Sequence, residues 1–379
     1  MNLSSSKNKS LDRVLLIHPF GIGDALFITP VIRTLKENGA KQIDLFLGSR
    51  TREVFEKNPN VDQIFEWNKT RPSRLKEKIK YLIDLNKLYL QIRKNRYSAV
   101  LDFSPTAKFA YLSWIYFRIP VRIGFNFKQK GIFLTHKVDL PNGYSDQFMV
   151  QYYLDLIRPL GLTPNSEKTE FFLNEEGILS AEKLLGGLNV DLDAPILAVA
   201  PGGGESWGKD ARLKRWPVQH FASLIGKFFQ EKKWKGTVLI LGSKSESELG
   251  EELLRRLNGR SAFNLCGEFS IHTAAALLKK SSCLIANDSG LVHLAHALEV
   301  PVVAIFGPVD PNVYGPYPAG LKTLALANEG PVCRPCYQRF RYQESCKSLE
   351  CLNDLTPQRV YEKINAAEFL DRIKLSAVS

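Results

Sequence analysis

Short apolar runs recur along the chain, and a longer stretch with helical spacing follows most of them. In the first half the runs fall at 14–18, 42–47, 63–65, 99–103 and 121–125. Helical patterns fall at 25–37, near Arg52 and at 73–96. A strand that is apolar on both faces must be covered on both, so these runs read as strands of a parallel sheet wrapped by helices. Residues 163–194 are polar with short helical character, and read as a connection between domains. The alternation then restarts. Strands are predicted at 196–200, 237–241, near Phe263, at 283–286 and at 302–306, with helices at 217–230, 246–257 and 271–279. A further helix presents Leu291, Leu294, Ala295 and Leu298 on one face. Residues 314–357 read as loop, and 358–375 as a helical tail. The predicted organisation is α/β, with two doubly wound domains at 1–170 and 195–355, a linker at 171–194 and a terminal helix at 356–379. Ligand is expected between the two sheets.

Composition agrees with a folded chain: 379 residues, 44% hydrophobic and 24% charged. The net charge of +12 is unevenly placed. Residues 1–170 carry 27 Lys and Arg against 16 Asp and Glu, and the remainder carries 24 against 23. A basic half calls for an anionic partner: nucleic acid, an anionic membrane surface or an acidic glycolipid. No zinc-finger spacing or RNP motif accompanies the charge, so nucleic acid is set aside. The first residues lack the apolar core of a signal peptide, and the run 109–117 is about half of what a spanning helix needs. A cytoplasmic protein, peripheral on the inner face of the membrane, is the expectation, and a monomer.

Six cysteines are present. Cys266 and Cys283 sit in apolar surroundings and read as buried thiols. Cys333, Cys336, Cys346 and Cys351 form C-x2-C-x9-C-x4-C, enough ligands for zinc but not a standard spacing. They read either as zinc ligands or as reduced thiols with a packing role.

Four loops at strand ends carry the chemistry. The strand at 14–18 ends in His18-Pro19-Phe20-Gly21-Ile22-Gly23-Asp24, and Thr29-Pro30 follows. The third glycine of a dinucleotide fingerprint is replaced by Leu26, which weakens a nicotinamide reading. The second domain opens with Pro201-Gly202-Gly203-Gly204, and then Lys214-Arg215-Trp216-Pro217. No G-K-[ST] follows, so this is not a Walker A loop. Gly242-Ser243-Lys244-Ser245-Glu246 ends the next strand. Asn287-Asp288-Ser289-Gly290-Leu291-Val292-His293 stands between a strand and a helix, where free backbone N–H groups and the helix dipole favour an anion. Taken alone, Asp24, Asp288 and Ser289 read equally as helix caps.

Together with Gly307-Pro308-Val309-Asp310-Pro311, these motifs resemble the ADP-heptose:lipopolysaccharide heptosyltransferases of glycosyltransferase family 9. The likeness is strong over 13–60 and 195–312. It implies the GT-B architecture, two Rossmann-like domains facing a cleft with the terminal helix at 356–379 packing back on the first domain, and inverting transfer of a heptose from an ADP-sugar to a lipopolysaccharide core or related glycolipid. Asp24 is implied as general base, with Gly21 and Gly23 letting substrate approach the backbone. Lys214, Ser289, Gly290, Leu291 and His293 are implied at the donor diphosphate, the histidine in its charged form. Asp288 is implied at the transferred sugar, Glu246 at the ribose, and Gly202 and Gly203 in the substrate loop. Phe269 either stacks on adenine or packs in the core. No cofactor is required by this reading, and neither domain shows a D-x-D metal motif. His18-Pro19-Phe20 departs from relatives that place hydroxyl residues there. Two rivals stand: a sugar-nucleotide epimerase of the same architecture, and a non-catalytic relative that binds glycan or membrane. The basic helix, from Arg71 to Arg96, and the aromatic run at 109–117 are candidates for a membrane surface.

Overall fold

Both six-stranded sheets of the computed structural model share one strand order. The structure describes residues 11–68, 72–231, 234–267, 269–320, 322–342, 346 and 348–369, so Arg71 lies outside the described residues. Contacts divide the chain into two units, 1–172 and 173–379. In the first unit the strands are β1 Arg13–His18, β2 Gln42–Gly48, β3 Gln63–Trp67, β4 Ala99–Asp102, β5 Val121–Asn126 and β6 His136–Asp139. They pair in the order β3-β2-β1-β4-β5-β6, all parallel. The helices are α1 Ile22–Leu26, α2 Thr29–Glu37, α3 Leu75–Lys94, α4 Ala107–Ile115 and α5 Met149–Asp155.

In the second unit the strands are β7 Ile196–Ala200, β8 Thr237–Ile240, β9 Ala262–Asn264, β10 Cys283–Asn287, β11 Val302–Phe306 and β12 Thr323–Ala327. Their order, β12-β11-β10-β7-β8-β9, repeats the first when counted from each unit's own first strand. Helices are α6 Glu175–Gly187, α7 Val218–Glu231, α8 Ser247–Arg256, α9 Ile271–Lys280, α10 Gly290–Ala297, α11 Pro311–Tyr314, α12 Glu350–Asn353 and α13 Pro357–Ala366. In such sheets ligands bind beyond the carboxyl ends of the strands where the order reverses. Here those points are the ends of β1 and β4, and of β7 and β10.

Several sequence expectations are corrected. The helix predicted at 25–37 is two helices, α1 and α2. Pro30 has no N–H to donate to the Leu26 carbonyl, and the Thr29 hydroxyl donates to that carbonyl instead, at 2.7 Å. The segment 171–194 is not a plain linker. It contains α6, which packs on α9 within the second unit, and Gly177 lies so close to His272 that a Cβ there would collide. The terminal helix contributes apolar side chains to the second unit. Val360, Tyr361, Ile364 and Phe369 are buried with Phe221, Phe228 and Trp216 in the second unit's own core. The stretch 314–357, read as loop, holds β12 and a small antiparallel hairpin, β13 Tyr337–Gln338 with β14 Arg341–Tyr342.

Candidate active site

One buried amide organises the carboxyl end of the second sheet. Asn287, the last residue of β10, is fully buried. Its Oδ1 accepts the Trp216 N–H at 3.0 Å. Its Nδ2 donates to the carbonyls of Pro201 at 2.7 Å and Gly202 at 3.2 Å. The glycine loop after β7 and the segment that leads into α7 are thereby tied to one side chain at the end of β10, and none of those backbone groups has water as an alternative.

The next residue, Asp288, pairs with Lys214. The Nζ to Oδ2 distance is 2.7 Å, and the side chains are 7% and 8% exposed. Lys214 Nζ also lies 3.8 Å from the centre of the Trp207 ring. An ammonium so placed is held from both sides by a carboxylate and a π face. It carries three donor hydrogens. Trp207 itself sits against Tyr337 and Tyr342 of the β13–β14 hairpin, with centroids 4.6 and 4.8 Å away, and Tyr314 adjoins Tyr337 at 5.8 Å. Burial raises the Tyr342 phenol, and Asp288 and Asp210 push it the same way. This aromatic wall escaped the sequence reading because Trp207 is adjacent to no motif and the tyrosines lie some 130 residues further along.

Ser289 caps α10 with extended backbone, and its Oγ is buried with no hydrogen-bond partner among the described residues. Gly290 and Leu291 form the first turn and are half-buried. His293, one turn in, is 6% exposed. Burial holds its imidazole down at about 4, and the nearby Asp288 offsets this only in part. Desolvation outweighs the single carboxylate and favours the uncharged imidazole.

Glu246 is also buried. Its Oε1 accepts the Gly204 N–H at 3.0 Å, and its Oε2 accepts the Ser243 N–H at 2.9 Å and hydroxyl at 3.1 Å. The carboxylate joins the glycine loop after β7 to the loop after β8. A Cβ at Gly202 would run into this carboxylate, and one at Gly203 into the Ala211 carbonyl. Phe269 is half-buried and outside the apolar core cluster.

On the first unit, Asp24 lies in the first turn of α1, half-buried, with its Oδ2 accepting the Gly21 N–H at 3.4 Å. It caps α1 from inside the helix rather than preceding it. Gly21 and Gly23 are half-buried beside it. His18 at the end of β1 is fully buried in an aromatic cage of Phe20, Phe103 and Tyr153, with centroids 5.4, 6.0 and 5.8 Å away. Two further groups stand here that the motifs did not flag. Burial pushes the Tyr144 phenol well above its usual range, and Asp24 and then Asp102 add to this, so both carboxylates act on one hydroxyl. Asp102, the last residue of β4, is pushed up to about 7 by burial, although it accepts the Ser104 N–H at 2.9 Å.

A model of glycosyltransferase family 9 (heptosyltransferase) matches residues 85–346. The chain belongs to this family. It is 25% identical over 363 residues to lipopolysaccharide heptosyltransferase 2 of Escherichia coli, covering 93% of this chain and 98% of the relative. With lipooligosaccharide heptosyltransferase 2 of Campylobacter jejuni serotype O:2 it shares 28% over 359 residues, covering 92% and 96%. Among solved structures, E. coli ADP-heptose lps heptosyltransferase II matches with a TM-score of 0.70 at 23% identity, over 95% of this chain and 99% of that one. A family 9 glycosyl transferase from Veillonella parvula matches with a TM-score of 0.75 at 19% identity, over 97% and 100%. These likenesses give the fold, which is GT-B.

The protein is thus a glycosyltransferase, and its second unit brings Lys214, Asp288, His293, Glu246 and the Gly202–Gly203 loop to one sheet end. Phe269 is not drawn into that network. The four C-terminal cysteines of the glycosyltransferase lie near one another. Among the described residues no group of three or more His, Cys, Asp or Glu side chains is placed to hold a metal. Cys333 is exposed and Cys351 buried, and Cys333, Cys346 and Cys351 all lie near enough to Cys336 to act on its thiol. Cys346 Sγ accepts the Leu349 N–H at 3.4 Å, and Cys336 is pushed up to about 12 by burial and by Cys333. Among the described residues no helix is long and apolar enough to cross a membrane.

Proposed function

We propose that this glycosyltransferase moves a heptose from an ADP-linked donor to a lipopolysaccharide core, with inversion at the anomeric carbon. The observation that carries the reading is the Lys214–Asp288 pair at the amino end of α10, in a chain whose full-length relatives are named lipopolysaccharide heptosyltransferases. A cation beside a helix amino terminus suits a diphosphate, and a carboxylate suits sugar hydroxyls. Ser289 Oγ, Gly290 and Leu291 add donors or room for the diphosphate, and neutral His293 offers an N–H or a lone pair without competing charge. Glu246 uses three acceptor sites on the two loops and keeps capacity for a ribose hydroxyl. Phe269 is assigned to the adenine.

In the reaction, Asp24 takes the proton from an acceptor hydroxyl. That oxygen bonds to the anomeric carbon while the bond to the diphosphate oxygen breaks, and ADP departs with the electron pair. Lys214 and the α10 amino terminus meet the charge that grows on the departing ADP. The acceptor would be met at the cytoplasmic face of a membrane. The test is nucleotide release and thermal shift with a panel of ADP-, GDP- and UDP-sugars, followed by NMR of the product anomer. ADP-heptose alone should turn over and give the inverted linkage. Release from a UDP- or GDP-sugar only, or release without any acceptor, would sink the reading.

A further inference from the structure

Helix α3 of the first unit turns an apolar stripe outward. Leu75, Ile79, Leu82, Ile83 and Leu90 are 73%, 51%, 61%, 50% and 42% exposed. A helix advances about 100° per residue, so these positions, with Asn86 among them, fall within an arc of about 100°. The helix already buries a different face. Ile92 is in the core of the first unit, and Leu88 and Tyr89 pack against it. The outward stripe is therefore not the inner face of a misplaced helix; it is a second apolar face.

The charges are sorted about that stripe. Lys76, Lys80, Lys87 and Lys94 line one flank, and Lys78 stands on the other. The helix's acids, Glu77 and Asp84, lie on the far side of the lysine row, away from the stripe. The neighbouring elements add aromatic surface. Tyr116, just after α4, bonds its hydroxyl to Asn86 in the middle of the stripe. On α4 Tyr111, Trp114 and Ile115 are each nearly half exposed, and Ile132 beyond them is 67% exposed. Trp114 stacks on Phe133 at 5.5 Å. A helix with lysines beside an exposed apolar arc, next to exposed Trp and Tyr, matches what the headgroup layer of a bilayer binds.

We propose that the outer face of α3, with the adjoining end of α4, docks on an anionic lipid surface. Charge complementarity selects that occupant over a second copy of the chain. Two such stripes facing each other would bring their lysine rows together, whereas anionic headgroups satisfy them. The inference rests in part on the proposed lipid-linked acceptor, so binding and transfer are measured separately.

The experiment is cosedimentation of the full chain with phosphatidylcholine vesicles, with and without phosphatidylglycerol. The wild-type chain should bind the anionic vesicles at least tenfold better than the zwitterionic ones, and less well as salt rises. Leu82→Glu with Ile83→Glu, and separately Lys76→Ala with Lys80→Ala and Lys87→Ala, should each lose at least tenfold in binding. Melting should be unchanged, because all five side chains are exposed. Transfer to a delipidated, water-soluble core acceptor should be unaffected in both. Equal vesicle binding by wild type and variants would overturn the proposal. So would a dimer, seen by sedimentation velocity without lipid, that Leu82→Glu dissolves. If vesicle binding holds but soluble acceptor is not glycosylated by any variant, the docking surface stands and the functional reading fails.

Discussion

Lys214 and Asp288, 74 positions apart in sequence, meet at 2.7 Å with less than a tenth of either side chain exposed. Each neutralises the other where water is scarce, so removing one leaves the other as a buried unpaired charge. The two substitutions should nevertheless differ in function. Lys214→Ala removes the cation proposed to meet the diphosphate, and ADP affinity should fall at least tenfold by calorimetry. Asp288→Asn frees the ammonium, so ADP affinity should hold or rise while transfer falls. Parallel losses of ADP affinity in both variants would refute the division of labour. In both, melting should drop by an amount equivalent to roughly 3 kcal/mol.

Asp24 separates binding from chemistry. Its substitution by Asn keeps the size and an oxygen that can still accept from Gly21, so α1 should persist. Transfer should fall at least a hundredfold, as loss of a general base does, while ADP binding stays within twofold. Turnover at the wild-type rate in Asp24→Asn would remove this residue from the mechanism.

Much of this was legible in the sequence, and the exceptions share causes. β7 and β11 are buried at every position, so an unbroken apolar run announced each of them. β6, His-Lys-Val-Asp, is an outer strand whose short run is diluted by polar residues, and β12, Thr-Leu-Ala-Leu-Ala, is an outer strand whose apolar run is short and stands alone in a loop-rich stretch. α6 buries only Gly177, Ala181 and Leu185 of its length, a face too small to show as an apolar period. The site loops were visible because small residues and charges follow strand ends directly. What periodicity cannot carry is the partner: that Lys214 faces Asp288, that Glu246 is engaged by two loops, or that Trp207 covers the lysine. Each of those depends on the crossing of distant segments.

Two buried titratable groups should shape stability in opposite directions. Asp102 is raised to about 7 in the fold from an ordinary value near 3.8. The folded chain thus holds that proton more tightly than the unfolded one. The resulting stability is full below about pH 4 and is lost as pH rises through about 7, on the order of 2–4 kcal/mol. Asp102→Asn cannot ionise and keeps an acceptor for Ser104, so it should melt higher than wild type at pH 8 and show no such decline. His293 is lowered to about 4. Its contribution is present above about pH 6.5 and is lost as pH falls through about 4. His293→Gln should therefore flatten the acid limb of the melting profile. Superimposable profiles for wild type and variants between pH 4 and 8 would contradict both assignments.

Asn287 is the position where a single substitution should cost most. Its amide holds one N–H and two carbonyls that have no access to water. Asn287→Leu fills the space but leaves those three backbone groups without partners, at about 1–3 kcal/mol each, so a loss of several kcal/mol is expected. For a unit of this size that corresponds to a fall in melting temperature of roughly 10 °C or more. Asn287→Asp is the informative companion. It keeps the acceptor for the Trp216 N–H but turns the donor toward Pro201 and Gly202 into a second acceptor, so it too should destabilise, and less so at acid pH where the carboxyl regains a proton to donate. A variant that melts like wild type at neutral pH would mean that the glycine loop is held by something other than this amide.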